Sequence, residues 1–148
     1  MNKSMGALGG IVLLLLALLG AGCGSSSEEA LSKSEFVKQG NGICAKATEA
    51  REKAVVEILK GADPKASQKA LQQEAADKTV PYYEGAAEEI DDLGAPEGDE
   101  TQVEELVDAM EEAAAQVKAN PQTAITGNLP FRKANEAAES YGLDACVI

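Results

Sequence analysis

Three observations point to an all-α fold, a small four-helix bundle-like domain. Alanine, the best intrinsic helix former, recurs throughout the chain after its first thirty residues, and Glu, Lys and Gln, close behind it, supply many of the polar positions. No run of β-branched or aromatic residues alternates with polar ones, so nothing indicates a strand. Apolar residues recur instead at spacings of three and four, in segments punctuated by Gly, Pro, Asn and Asp.

The first helix is expected from about Ser34 to Lys60, with Ser34 as N-cap and Gly61 as stop. Phe36, Gly40, Ile43, Ala47, Ala50, Ala54 and Ile58 share one face. Gly40 and Gly42 each cost roughly 1 kcal/mol relative to Ala inside a helix. They mark either a close helix approach or a break near Asn41. Asp63-Pro64 is expected to open the second helix, as cap and first helical residue. That helix reaches about Leu93, with a kink or split near Val80 caused by Pro81. Beyond it, Val80, Tyr83, Ala87 and Ile90 line one face.

Gly94-Ala95-Pro96-Glu97-Gly98 is a connector, and Asp99 is expected to cap the third helix, which ends near Asn120-Pro121. Val103, Leu106, Val107, Met110, Ala114 and Val117 form its apolar stripe. Thr126-Gly127-Asn128-Leu129-Pro130 is a turn. Asn128 or Leu129 should precede a fourth helix with Pro130 in its first turn, Phe131, Ala134, Ala138 and Tyr141 facing inward, and Gly142 at its end. Four amphipathic helices with short connections pack as a bundle. With only 3% aromatic residues, its core should be thin and its helices close.

The 148 residues include 25 acidic and 13 basic side chains, no His, and a net charge of -12. No basic surplus exists to neutralise phosphates, which disfavours nucleic-acid binding. The absence of His excludes Ser-His-Asp and Cys-His machinery and any His-ligated metal centre. All the surplus acid lies between Thr79 and Val117, which hold 13 carboxylates and no Lys or Arg. One reading of this 84–112 region is a solvated helix face, with acids near helix N-termini complementing the dipoles. The other is a patch for a cation or a basic partner, with Asp91, Asp92, Glu97, Asp99 and Glu100 as the best local cluster. The spacing matches no EF-hand loop. A glycosidase-like pair would lack an aromatic-lined sugar cleft.

Two polar residues intrude on apolar faces: Arg51, nearly in phase with Phe36, Ala47 and Ile58, and Asn135, beside Phe131 and Ala138. Such an Arg usually lays its stem along the surface with its head in water. The alternative is a ligand site using Arg51, Asn135 and Tyr82 or Tyr83.

The amino terminus opens with Lys3, carries no charge from Met5 to Ala21, and is almost wholly aliphatic from Ile11 to Leu19. That length suits a signal-peptide core and is short for a membrane span of ~20 residues. Leu19-Gly20-Ala21-Gly22-Cys23 resembles the lipobox of bacterial lipoproteins, with its Leu four residues before the Cys rather than three. The resemblance implies diacylglyceryl transfer to the Cys23 thiol, palmitate among its acyl groups, and cleavage after Gly22. The chain then divides into a signal peptide (1–22), a lipidated Cys and flexible linker (23–33) and a helical domain (34–148). An ordinary secretory signal and an uncleaved anchor are the other readings. The Gly/Ser-rich stretch after Cys23 behaves as flexible coil, and about ten such residues reach roughly 17 Å. Two acyl chains would hold the protein stably on the outer face of a bacterial cytoplasmic membrane.

With Cys23 acylated, Cys44 and Cys146 remain, a natural disulfide pair in an oxidising compartment. Free thiols and a redox-active pair are the other options, the latter without any Cys-x-x-Cys to lower a thiol pKa. Phe36-Val37-Lys38-Gln39-Gly40-Asn41-Gly42-Ile43-Cys44, Phe131-Arg132-Lys133-Ala134-Asn135-Glu136 and Tyr141-Gly142-Leu143-Asp144-Ala145-Cys146 resemble a loose group of small actinobacterial lipoproteins and exported proteins. That resemblance implies helices joined by a Cys44–Cys146 bond and brings no activity with it. The expected function is therefore non-enzymatic: a membrane-tethered binding or scaffolding domain, without cofactor or metal. Its partners would be the membrane, through the diacylglyceryl group, and a basic envelope protein. The alternative is a lipoprotein that binds a cation or small ligand through the acidic 84–112 region.

Overall fold

Residues 30–124 and 130–148 are described by the structure, a computed structural model. The lipobox-like segment, Cys23, most of the linker and residues 126–129 of the expected 126–130 turn lie outside them. Every described element is helical, as expected for the all-α class.

Helix α1 runs over Lys33–Gly61 and is capped by Ser32, not Ser34. Ser32 Oγ accepts from the Glu35 amide at 3.3 Å, while the Glu35 carboxylate accepts from the Ser32 amide at 3.2 Å. This reciprocal box needs an acid three residues after the cap, and only Ser32 has Glu35 at that distance. The helix passes unbroken through Gly40 and Gly42, so close approach prevails over a break. A Cβ on Gly40 would fall 2.7 Å from Leu143 Cδ2, whereas one on Gly42 would meet nothing within 4 Å. Gly42→Ala is accordingly expected to stabilise the protein by about 0.5–1 kcal/mol through helix propensity alone. Gly40→Ala is expected to lower stability, because buried Leu143 must move. Urea midpoints of the two variants check the opposite signs.

Asp63-Pro64 does not open the second helix. Asp63 Oδ1 accepts from the Lys65 amide at 2.8 Å and its carbonyl from the Ala66 amide at 2.8 Å, which closes a local turn instead. Helix α2 (Gln68–Asp91) starts behind Ser67, whose hydroxyl accepts from the Ala70 amide at 3.2 Å, and stops short of Leu93. Pro81 does not split it. Pro81 and Asp77, four residues before it, are both exposed. The carbonyl that loses its helical donor there can therefore bond to water.

Helix α3 (Glu100–Ala119) buries its whole expected stripe, from Val103 to Val117. A 3₁₀ turn at Pro121–Ala124 follows. Helix α4 (Arg132–Tyr141) begins two residues after Pro130, with Phe131 at the cap position, so Pro130 precedes its first turn. Gly142 ends α4 at φ 92°, and the Leu143 amide bonds back to the Ala138 carbonyl at 2.8 Å. This left-handed closure is easiest for Gly. A second 3₁₀ turn, Asp144–Cys146, carries the tail onto α1.

Two cores show the topology. The first joins the start of α1 (Phe36, Cys44), the end of α2 (Ala87, Ile90), the start of α3 (Val103, Leu106) and the end of α4 with its tail (Tyr141, Leu143, Cys146). The second joins the start of α2 (Ala76, Val80), the end of α3 (Ala113, Ala114, Val117) and Phe131. Successive helices therefore run up, down, up and down. No residue of α1 belongs to the second core.

Candidate functional site

At the first-core end, polar side chains are consumed in holding the tail. Cys44 and Cys146 form a disulfide with Cα atoms 4.9 Å apart. Asn41 Nδ2 donates to the Val37 and Gly142 carbonyls, both at 3.0 Å, and its Oδ1 accepts from the Ala145 amide at 2.8 Å. Asn135 Nδ2 donates to the Ile148 carbonyl at 2.8 Å, and its Oδ1 accepts from the Ile148 amide at 3.0 Å. Its whole amide clamps the carboxyl terminus, so Asn135 does not join Arg51 in a ligand site.

The acidic connector does not converge on a point. Asp99 makes no capping bond to α3. Its Oδ2 accepts from Tyr141 Oη at 2.8 Å and pairs with Lys33 Nζ at 3.1 Å, and that ammonium sits 4.2 Å over the Tyr141 ring. The Tyr141 hydrogen bond, then Lys33, holds the Asp99 carboxyl below its usual range, and burial followed by Asp99 pushes the Tyr141 phenol far up. The sign follows from linkage. Stability from ionised Asp99 is present above the ordinary Asp value of 3.8 and is lost as pH falls through the lower folded value. Glu100 lies below its usual range because the backbone N–H groups of Glu100 and Gly98 bond to it. Asp91, Asp92 and Glu97 are exposed. Among the described residues no group of three or more His, Cys, Asp or Glu side chains could hold a metal ion. Along α3, Glu104, Glu105, Asp108 and Glu111 face water, while Glu112 pairs with Lys133 at 3.3 Å and Glu84 on α2 pairs with Lys118 at 3.2 Å.

The concave feature lies at the other end. Because the second half of α1 stays out of the second core, a cleft of ≈ 360 Å³ opens between it and the first half of α2. Val55, Ile58 and Leu59 form one wall, Leu71 and Ala75 the other, and the buried residues Val117 and Phe131 also line it. Val55 and Leu59 remain 38% and 73% exposed, unusual for large apolar side chains with a core beside them. The volume falls within the range of small-molecule sites.

Arg51 supplies the polar end of this cleft. Its Nη1 donates to Tyr83 Oη at 2.8 Å, and the Tyr83 ring packs on Phe131 with centroids 4.6 Å apart. Its head is therefore not simply in water, as the usual surface Arg would be. The Nε atom is buried with no hydrogen-bond partner. An unmet buried donor costs about 1–3 kcal/mol, more when charged. Of the expected ligand residues, the cleft unites Arg51 and Tyr83, while Tyr82 lines a separate groove with Lys46 and Glu89. Sequence reasoning missed Val55, Leu59, Leu71 and Ala75. The available signal was a second stripe on α1, Arg51-Val55-Leu59 at i, i+4 and i+8, beside the core face.

No known family model, curated protein or solved structure matches the chain.

Proposed function

We infer that this is a lipid-anchored extracytoplasmic binding protein, non-catalytic, whose helical body takes a small apolar molecule into the cleft between α1 and α2. The observation that carries the reading is that cleft, its apolar walls ending at one Arg–Tyr pair. The lipobox-like Leu19–Cys23 segment supports the anchor. No described helix is long and apolar enough to cross a membrane. In this reading the acylated Cys23 provides the attachment. The body then hangs from the amino end of α1. The exposed carboxylates of α3 support a second contact, with a basic protein of the envelope.

The test uses the full chain, matured in a bacterial host and reconstituted in phosphatidylcholine nanodiscs. Intact mass should show a diacylglyceryl adduct on Cys23 and loss of residues 1–22. Nile red should bind saturably at one site, and Ala75→Trp, which fills the cleft, should abolish that binding while leaving the helical spectrum unchanged. A retained leader overturns the anchor, and dye binding indifferent to Ala75→Trp overturns the cleft.

A further inference from the structure

We propose that the occupant of the cleft is a single-chain amphiphile with one carboxylate head, a medium-chain fatty acid, its head seated on Arg51 and Tyr83. This rests on the binding reading above and adds the chemistry of the ligand.

Charge complementarity selects the head. Among the described residues, Arg51 is the sole charged one lining the cleft. Among the described residues it pairs with no carboxylate, although acidic side chains outnumber basic ones 25 to 13. The only other arginine, Arg132, is paired with Glu136 at 2.9 Å. With Nη1 given to Tyr83, Nε is buried without a partner and Nη2 makes no hydrogen bond to a described residue. The Nη2 donors are the ones left to a carboxylate oxygen, in a charge-assisted hydrogen bond. The Tyr83 hydroxyl, which accepts from Arg51, still has its own proton to donate. Thr79 offers the head nothing, because its hydroxyl is given to the Ala75 carbonyl at 2.7 Å. A cationic head would be repelled, and a neutral one would leave the charge without a counterion.

Shape selects the body. From Arg51 to Ala62 the α1 wall runs roughly 16 Å at 1.5 Å per residue, and past the Arg the groove is walled by Val55, Leu59, Leu71 and Ala75. At about 30 Å³ for each water-sized group, a cleft of ≈ 360 Å³ holds on the order of a dozen non-hydrogen atoms. One chain of that size fits, and a two-chain phospholipid does not.

Native mass spectrometry of the nanodisc-held chain, with empty discs as blank, tests this with dodecanoate, dodecanol and dodecylamine. Dodecanoate should bind one to one and roughly ten- to a hundredfold more tightly than dodecanol, the worth of a charge-assisted pair. Dodecylamine should bind weakest. Arg51→Gln should erase the preference for dodecanoate and leave dodecanol binding unchanged, and Arg51→Lys should restore only part of it. The three-ligand comparison on the unaltered chain decides the matter even where a variant fails to fold. Equal binding of acid and alcohol overturns the head assignment while leaving the cleft as a binding site. No binding of any of the three overturns both readings. A retained phospholipid, or a homodimer that excludes dodecanoate, also overturns the proposal.

Discussion

Phe36→Ala is expected to remove about 3–5 kcal/mol of stability, the range for truncating a fully buried aromatic. Phe36 has no solvent exposure and sits where α1, α2, α3 and the end of α4 meet. Its ring lies edge-on to Tyr141 at 5.6 Å and 80°, an arrangement that adds to simple area burial. The chain has only two Phe, three Tyr and no Trp, so few other side chains could fill the space. The core cluster it belongs to is mostly Ala, Val and Cys, short side chains that fill a gap poorly, which places the loss toward the upper end of the range. Small domains hold only about 5–15 kcal/mol in total, so the variant should be partly unfolded or close to it. Urea unfolding followed by far-ultraviolet circular dichroism measures the change, with exposed Val56→Ala as a control expected to stay within about 0.5 kcal/mol. A loss below about 1 kcal/mol would show that the first core is not packed around this ring.

The second large effect is expected from opening the Cys44–Cys146 bond. It closes a loop of 102 residues, and the chain-entropy account assigns about 4.7 kcal/mol to a loop of that size, with measured values more often about 2–5. The tail has other holds: Asn41 bonds to Gly142 and Ala145, and Asn135 bonds to Ile148. These are single hydrogen bonds, each worth about 1 kcal/mol, and they survive only while the tail stays docked. Replacing both cysteines by Ala should therefore lower the urea midpoint and free residues 143–148 to exchange amide hydrogens early, with the α2–α3 pair still protected. Unchanged unfolding of the oxidised protein in the presence of reductant would refute the bond.

The cleft and the cores show how far local patterns reach. The apolar stripe of α3, the shared face of Val80, Tyr83, Ala87 and Ile90, and the Gly142 stop were legible because each is fixed by spacing within a few turns. The starts of α1 and α2 lie two and four residues from the caps expected, because several Ser and Asp residues competed as caps. Reciprocal bonding to Glu35 decided the first, and the self-contained Asp63 turn decided the second. Asp99 stands at a cap position by sequence, yet Tyr141 and Lys33, far away in the chain, draw its carboxylate away from α3.

By itself the sequence determined that four helices form, roughly where they begin and end, and which face of each is apolar. Helix propensity and the 3.6-residue repeat act over short stretches of chain, so residue order is enough. Only the tertiary structure decided that Gly40 admits Leu143, that Asn135 holds the carboxyl terminus, and that Arg51 meets Tyr83 at the end of an open cleft. Periodicity says that a face must be covered but not by what. Whether two such faces close or leave a space depends on how whole helices are placed against one another.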